Sequence, residues 1–180
     1  MSAERRGRWG WHQLPDGWAR RVVLAAGINP GDLVLDVGAG TGALTCHLVD
    51  VGARVIAVEL HPRRAHHLRE RFAGAMVTVV QVDAADLRLP RRPFKVVANP
   101  PFGITTALIR RLLGRGSRLV TADVVVPRYV AVRWSSGRAP GVNRWGRVFD
   151  AYARCALPRA ALRPPPPGPV AVLRFERRGR

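Results

Sequence analysis

Leu33-Val34-Leu35-Asp36-Val37-Gly38-Ala39-Gly40-Thr41-Gly42 decides the reading of this chain. Its first five residues are apolar except for one carboxylate, the pattern of a strand buried on both faces. Three glycines at alternate positions follow, and Thr41 to Val51 then reads as a helix. Strand, glycine turn, helix is the context in which backbone amides approach a nucleotide-type ligand and a helix N-terminus faces it. The spacing Gly38-x-Gly40-x-Gly42 is not the dinucleotide spacing Gly-x-Gly-x-x-Gly, so a dehydrogenase is the weaker reading.

Working outward, apolar runs recur at Arg54–Glu59, Met76–Gln81, Phe94–Ala98 and Arg118–Val126, with Val148–Ala156 and Val170–Phe175 as closing strands. Helical spacing appears at 17–26, from Pro62 to about Phe72, from Thr105 to Leu113 and from Pro127 to about Trp134. Alternating strands and helices predict an α/β chain with a mainly parallel, doubly wound sheet. Segment 135–146 is rich in Gly, Ser and Pro and reads as a mobile loop, and Pro164–Pro169 as a short stiff connector.

Two carboxylates stand at the ends of strands that would flank the glycine turn. Glu59 closes the second strand, where it can accept hydrogen bonds from ribose hydroxyls. Asp83 follows the third, where it can accept from an adenine amino group. Together they suit an adenosine-containing cofactor without a pyrophosphate, which points to S-adenosyl-L-methionine.

The fourth strand stops at Asn99-Pro100-Pro101-Phe102. Two prolines lack N–H donors and fix their own φ, so the chain must leave the sheet in a stiff loop. An amide stands before that loop and an aromatic ring after it. The exocyclic nitrogen of adenine is a poor nucleophile because its lone pair is delocalised. Two fixed acceptors, the Asn99 side chain and the Pro100 carbonyl, would hold its N–H bonds and aim the lone pair at a methyl group. Phe102 can stack on an extruded base. No general base is needed, since the proton can leave after transfer.

With these residues in view, the sequence resembles class I S-adenosylmethionine-dependent methyltransferases. More narrowly, it resembles the Erm family of 23S rRNA adenine-N6 methyltransferases, relatives of the KsgA-type dimethylases, and within it the short mycobacterial type. The resemblance runs from about Gly10 to Arg178. It implies a Rossmann-like, mainly parallel seven-stranded sheet with helices on both faces. It also implies methylation of adenine N6 in 23S rRNA, with macrolide–lincosamide–streptogramin resistance. Catalytic roles fall on Asn99, Pro100 and Phe102. Cofactor contacts fall on Trp11, His12, Asp36, Gly38, Gly40, Gly42, Glu59, Leu60, Asp83, Ala84 and Asn99. There are departures: Trp11-His12-Gln13-Leu14 stands where the family carries Gln-Asn/His-Phe, and Leu162 stands where an aromatic is usual. The small C-terminal helical domain of the family is not expected in this chain, which divides into a basic arm over 1–16 and a catalytic domain over 17–180.

Thirty Lys+Arg against twelve Asp+Glu give a net charge of +18, which favours a polyanionic partner. Lys95 is the only lysine. RNA grip is expected from the arginine-rich arm, the 135–147 loop and the tail Arg174–Arg180. Cys46 and Cys155 have no metal-type spacing, and Cys46 reads as a small core residue. No long apolar run is visible near the N-terminus, so the expected location is the cytoplasm with no membrane span; a monomer that holds no metal is the further expectation. Two other functions fit less of the pattern. One is a protein methyltransferase acting on a planar amide or guanidinium, against which the positive charge argues. The other is a non-catalytic RNA- or DNA-binding relative, against which the intact Asn99–Phe102 turn argues.

Overall fold

The computed structural model describes residues 12–179. Seven strands form one sheet: β1 (Leu33–Val37), β2 (Arg54–Val58), β3 (Val77–Val80), β4 (Phe94–Ala98), β5 (Leu119–Pro127), β6 (Phe149–Leu157) and β7 (Val170–Arg177). Their order is β3-β2-β1-β4-β5-β7-β6. Pairs among β1 to β5 are parallel, and β7 runs antiparallel to both β5 and β6. The expected seven-stranded, mainly parallel sheet is therefore present.

Successive residues of the central strands are buried on opposite faces. Val34, Val97 and Val125 face one apolar layer, while Leu35, Val96 and Val124 face the other. That two-sided burial explains why these strands read as continuous apolar runs. On the first face lie α1 (Asp16–Ala26), α2 (Ala43–Asp50) and α3 (Pro62–Arg71). On the second lie α4 (Thr105–Leu112) and α5 (Arg128–Ser135), with a short α6 (Val142–Trp145) beside them.

The chain's single lysine has a specific task. Lys95 Nζ donates to the Gly27 carbonyl at the C-terminus of α1 (3.0 Å) and to Asp32 Oδ2 (2.7 Å). A compact ammonium with three donors satisfies a helix-end carbonyl and a turn carboxylate together.

Three expectations are corrected. Segment 135–146 contains α6 and seats Trp145 in the core, its ring 5.4 Å from Trp134 and 5.8 Å from Phe175. Its glycines and prolines do mark turns, but one large buried aromatic outweighs them. The tail arginines are committed to the fold. Arg174 pairs with Asp123 (2.8 Å), Arg177 donates to the carbonyls of Leu119 and Ser117 (both 2.7 Å), and Arg178 pairs with Asp150 (2.7 Å). Finally, the expected arm is anchored at its inner end. Gln13 and Arg163 exchange backbone hydrogen bonds of 2.7 and 2.8 Å, and Leu14 is buried. Residues 1–11 of that arm, with Trp11, and the tail residue Arg180 lie outside the described residues.

Candidate active site

The strand order reverses between β1 and β4, and the loops leaving their carboxyl ends border a crevice there. The glycine turn after β1 and the proline turn after β4 touch directly. A Cβ on Gly38 would stand 3.2 Å from Pro100 Cα and 3.3 Å from Pro101 Cδ, and its φ is +76°. Glycine at this position lets the two turns meet.

The donor side is built from carboxylates held by backbone amides. Glu59 Oε2 accepts from Gly40 N and Oε1 from His61 N, both at 2.8 Å, and the side chain is buried. Each oxygen keeps a lone pair for a further donor. Asp36 accepts from Thr45 Oγ1 through Oδ2 (2.7 Å), while its Oδ1 is buried with no hydrogen-bond partner. Burial pushes the Asp36 carboxyl up to about 7, the hydrogen bonds from Thr45 oppose that, and the charge of Glu59 adds to it. An orphaned buried carboxylate oxygen calls for a donor that arrives with a ligand. Gln13 and Leu14 close over the glycine turn, with Gln13 Nε2 donating to Thr41 Oγ1 (3.0 Å), and the cavity left beneath them is about 20 Å³. Asp83 is exposed beyond β3, its Oδ1 accepting from Ala85 N (2.8 Å). Ala84 is buried beside it, and Leu60 is exposed after Glu59. The donor set fits an adenosine-type cofactor that brings hydroxyl, ammonium and amino donors.

The acceptor side is stiffer and wider. Asn99 Nδ2 donates to the His12 carbonyl (2.6 Å), which fixes the amide and leaves Oδ1 as an acceptor. Pro100 is buried, and Pro101 leads into a single 3₁₀ turn, Phe102–Ile104, that feeds α4. The His12 ring lies 5.2 Å from that of Phe102, tilted by 32°, and shares a 2.7 Å hydrogen bond with the Pro164 carbonyl through Nδ1. His12 thus contacts the proline turn and the 164–169 segment through its side chain, while Gln13 and Leu14 stand against the glycine turn.

Phe102 also forms a wall of a cleft of about 870 Å³. The other walls are Pro127, Arg128, Tyr129, Val132, Arg133, Arg138 and Pro166–Val170. The sequence marks Pro127 to about Trp134 only as a helix and 164–169 only as a connector, whereas the structure brings both to this cleft together with Arg138. The available signal was position: Pro127 ends β5 at the same sheet edge as Asn99. Trp134 faces inward and is buried. Among the described residues, no group of His, Cys, Asp and Glu is arranged to hold a metal ion, and no helix is long and apolar enough to cross a membrane.

Comparison with known proteins agrees with this geometry. The family model for ribosomal RNA adenine dimethylase matches residues 17–178. Ribosomal RNA small subunit methyltransferase A of Leifsonia xyli subsp. xyli is 38% identical over 134 residues, covering 71% of this chain and 47% of that protein. The protein of the same name from Mycobacterium tuberculosis is 36% identical over 153 residues, covering 77% and 48%. This chain therefore spans about half the length of these relatives. Among solved structures, the 23S rRNA methyltransferase ErmE superposes with a TM-score of 0.82 at 30% identity, covering 92% of this chain and 70% of that one. A Plasmodium falciparum dimethyladenosine transferase shares the fold, with a TM-score of 0.79 at 24% identity and coverage of 93% and 64%. The architecture is that of the Rossmann-like class I methyltransferases.

Proposed function

The chain belongs to the ribosomal RNA adenine dimethylase family, and we propose that it methylates the exocyclic N6 amine of an adenine in ribosomal RNA using S-adenosyl-L-methionine. The observation that carries this reading is the fixed amide of Asn99, whose Nδ2 is taken by the His12 carbonyl so that Oδ1 remains an acceptor in the residue next to Pro100. These two acceptors hold the two N–H bonds of the target amine and leave its lone pair directed at the methyl donor. Pro100 and Pro101 set the carbonyl direction before the base arrives, so little reorganisation is needed at the moment of transfer. Phe102 retains the extruded base by stacking, backed by His12.

When bound, S-adenosylmethionine supplies an electrophilic sulfonium methyl. On this chain, Asp36 Oδ1 would accept from its ammonium, Glu59 from its ribose hydroxyls and Asp83 from its adenine amino group. Gly38 and Gly40 allow close approach of the backbone. Gln13 and Leu14 lie over the glycine turn at the Asp36 end of this seat. Arg128, Arg133 and Arg138 rim the acceptor cleft and would meet phosphates flanking the target base.

The 23S target and the macrolide–lincosamide–streptogramin resistance role belong to this proposal, supported by the likeness to ErmE. A small-subunit target is the second reading, favoured by the names of the curated relatives. Nucleoside mass spectrometry of separated 16S and 23S rRNA from cells with and without the protein tests both. Methylated adenine is expected to rise in 23S RNA. A rise confined to 16S RNA selects the second reading, and no rise in either overturns the proposal.

A further inference from the structure

Arg111 lies in the last turn of α4, the helix that follows directly from the Asn99–Phe102 turn. Its guanidinium donates from Nε to the Leu87 carbonyl and from a terminal nitrogen to the Ala85 carbonyl, the latter at 2.8 Å. Both carbonyls belong to the turn that opens at Asp83. Within that turn the Asp83 side chain accepts from Ala85 N and its carbonyl accepts from Asp86 N (2.9 Å). Ala84 and Leu87 anchor the turn in the same apolar cluster as Leu108 and Leu112 of α4.

The strand leading into this turn is a weak support. β3 is a four-residue strand at the sheet edge, and none of its residues is fully buried. Two apolar anchors, Ala84 and Leu87, fix the depth of the turn but leave its rotation open. A planar guanidinium bonded to two carbonyls removes that freedom, because its donors hold fixed angles.

We propose that Arg111 is a positioning residue for the adenine end of the cofactor seat. By holding the carbonyls of Ala85 and Leu87 it sets the direction of the Asp83 carboxylate. Because it rides on α4, it also ties that end of the seat to the catalytic turn. This inference rests on the reading of Asp83 as the adenine contact.

The test is calorimetric binding of S-adenosylhomocysteine and of its inosyl counterpart, which lacks the adenine amino group. Wild type, Arg111→Ala and Arg111→Lys are compared, with thermal melting alongside. Wild type is expected to favour the adenosyl compound. Arg111→Ala should lose about tenfold in affinity for it, with little change for the inosyl compound, so that the preference collapses. Arg111→Lys, which keeps the charge and donors but not the planar fork that fixes their angles, should fall between. The cofactor KM should rise in Arg111→Ala while kcat at saturating cofactor stays within about threefold. Equal losses for both compounds, or none, would overturn the proposal. Failure of wild type to bind S-adenosylhomocysteine would instead sink the cofactor reading. Should Arg111→Ala not fold, Arg111→Gln, which keeps one donor, carries the same comparison.

Discussion

The two sides of the crevice solve different problems with different residues. The donor side, from β1 to β3, uses glycines and carboxylates, and the cavity at its glycine turn is nearly closed at about 20 Å³. The acceptor side, from β4 to β7, uses prolines, an aromatic and arginines around an open cleft of about 870 Å³. A small polar cofactor is best held by many directional acceptors in a tight space. A base carried on a polyanion needs a stiff wall, a stacking face and cations at the rim. Gly38 is where the two sides meet.

Separating the sides by substitution gives the largest expected effect. Asn99→Ala should lower methyl transfer to rRNA about 10²- to 10³-fold, as expected for loss of a preorganised polar contact. Affinity for S-adenosylhomocysteine, as read by calorimetry, should fall far less than turnover, although Asn99 also borders the glycine-turn cavity. A parallel loss of binding would show that the turn also serves the donor side.

Gly38→Ala should damage both sides together. A left-handed φ costs a non-glycine residue about 1–2 kcal/mol, and the new Cβ meets the backbone at Pro100. A lowered melting temperature with loss of both cofactor affinity and turnover is expected. Retention of either function would mean that the two turns move independently.

Arg128→Ala and Arg133→Ala should act on the acceptor side alone. Each should raise the KM for RNA several-fold and reduce the slope of log affinity against log salt by about one. Cofactor binding should not change. An unchanged salt slope would remove these arginines from the RNA path.

The last effect is on stability against pH and touches neither side's substrate directly. The folded chain holds a proton on Asp36 up to about 7, whereas an unfolded Asp releases it near 3.8. Between those values the native state binds more protons, so cofactor-free stability should fall as pH rises. One such group contributes at most about 1.4 kcal/mol per pH unit. Asp123, raised by burial to about 6 against the pull of Arg174 and Arg154, adds to the same slope. Asp36→Asn should therefore flatten part of the dependence, most visibly between about pH 6 and 7, where Asp123 no longer contributes, in melts taken from pH 5 to 8. A slope identical to wild type would show that Asp36 is already ionised in the folded chain.

Much of the molecule was legible in the chain because its signals are local. The run Leu33–Val37 with its glycines, the stop at Pro100-Pro101 and the helical spacing at 105–113 each depend on backbone sterics or periodicity. The missed features depend on partners far away in sequence. Nothing near Trp145 marks it as core, since its packing partners are Trp134 and Phe175. Nothing near Arg174 says that Asp123 will claim it, so a basic tail read as free charge. Gln13 and Leu14 meet the glycine turn only because Gln13 pairs with Arg163.

By itself the sequence determined the α/β alternation, the glycine turn, the strand-end carboxylates and the proline turn, because each is written in neighbouring residues. Only the tertiary structure decided which arginines are spent on the fold and which rim the cleft. It also decided that His12 backs Phe102 and fixes Asn99, and that Arg111 reaches the Asp83 turn. Those contacts join segments far apart in the chain, and their geometry exists only once the sheet has brought the loops to one edge.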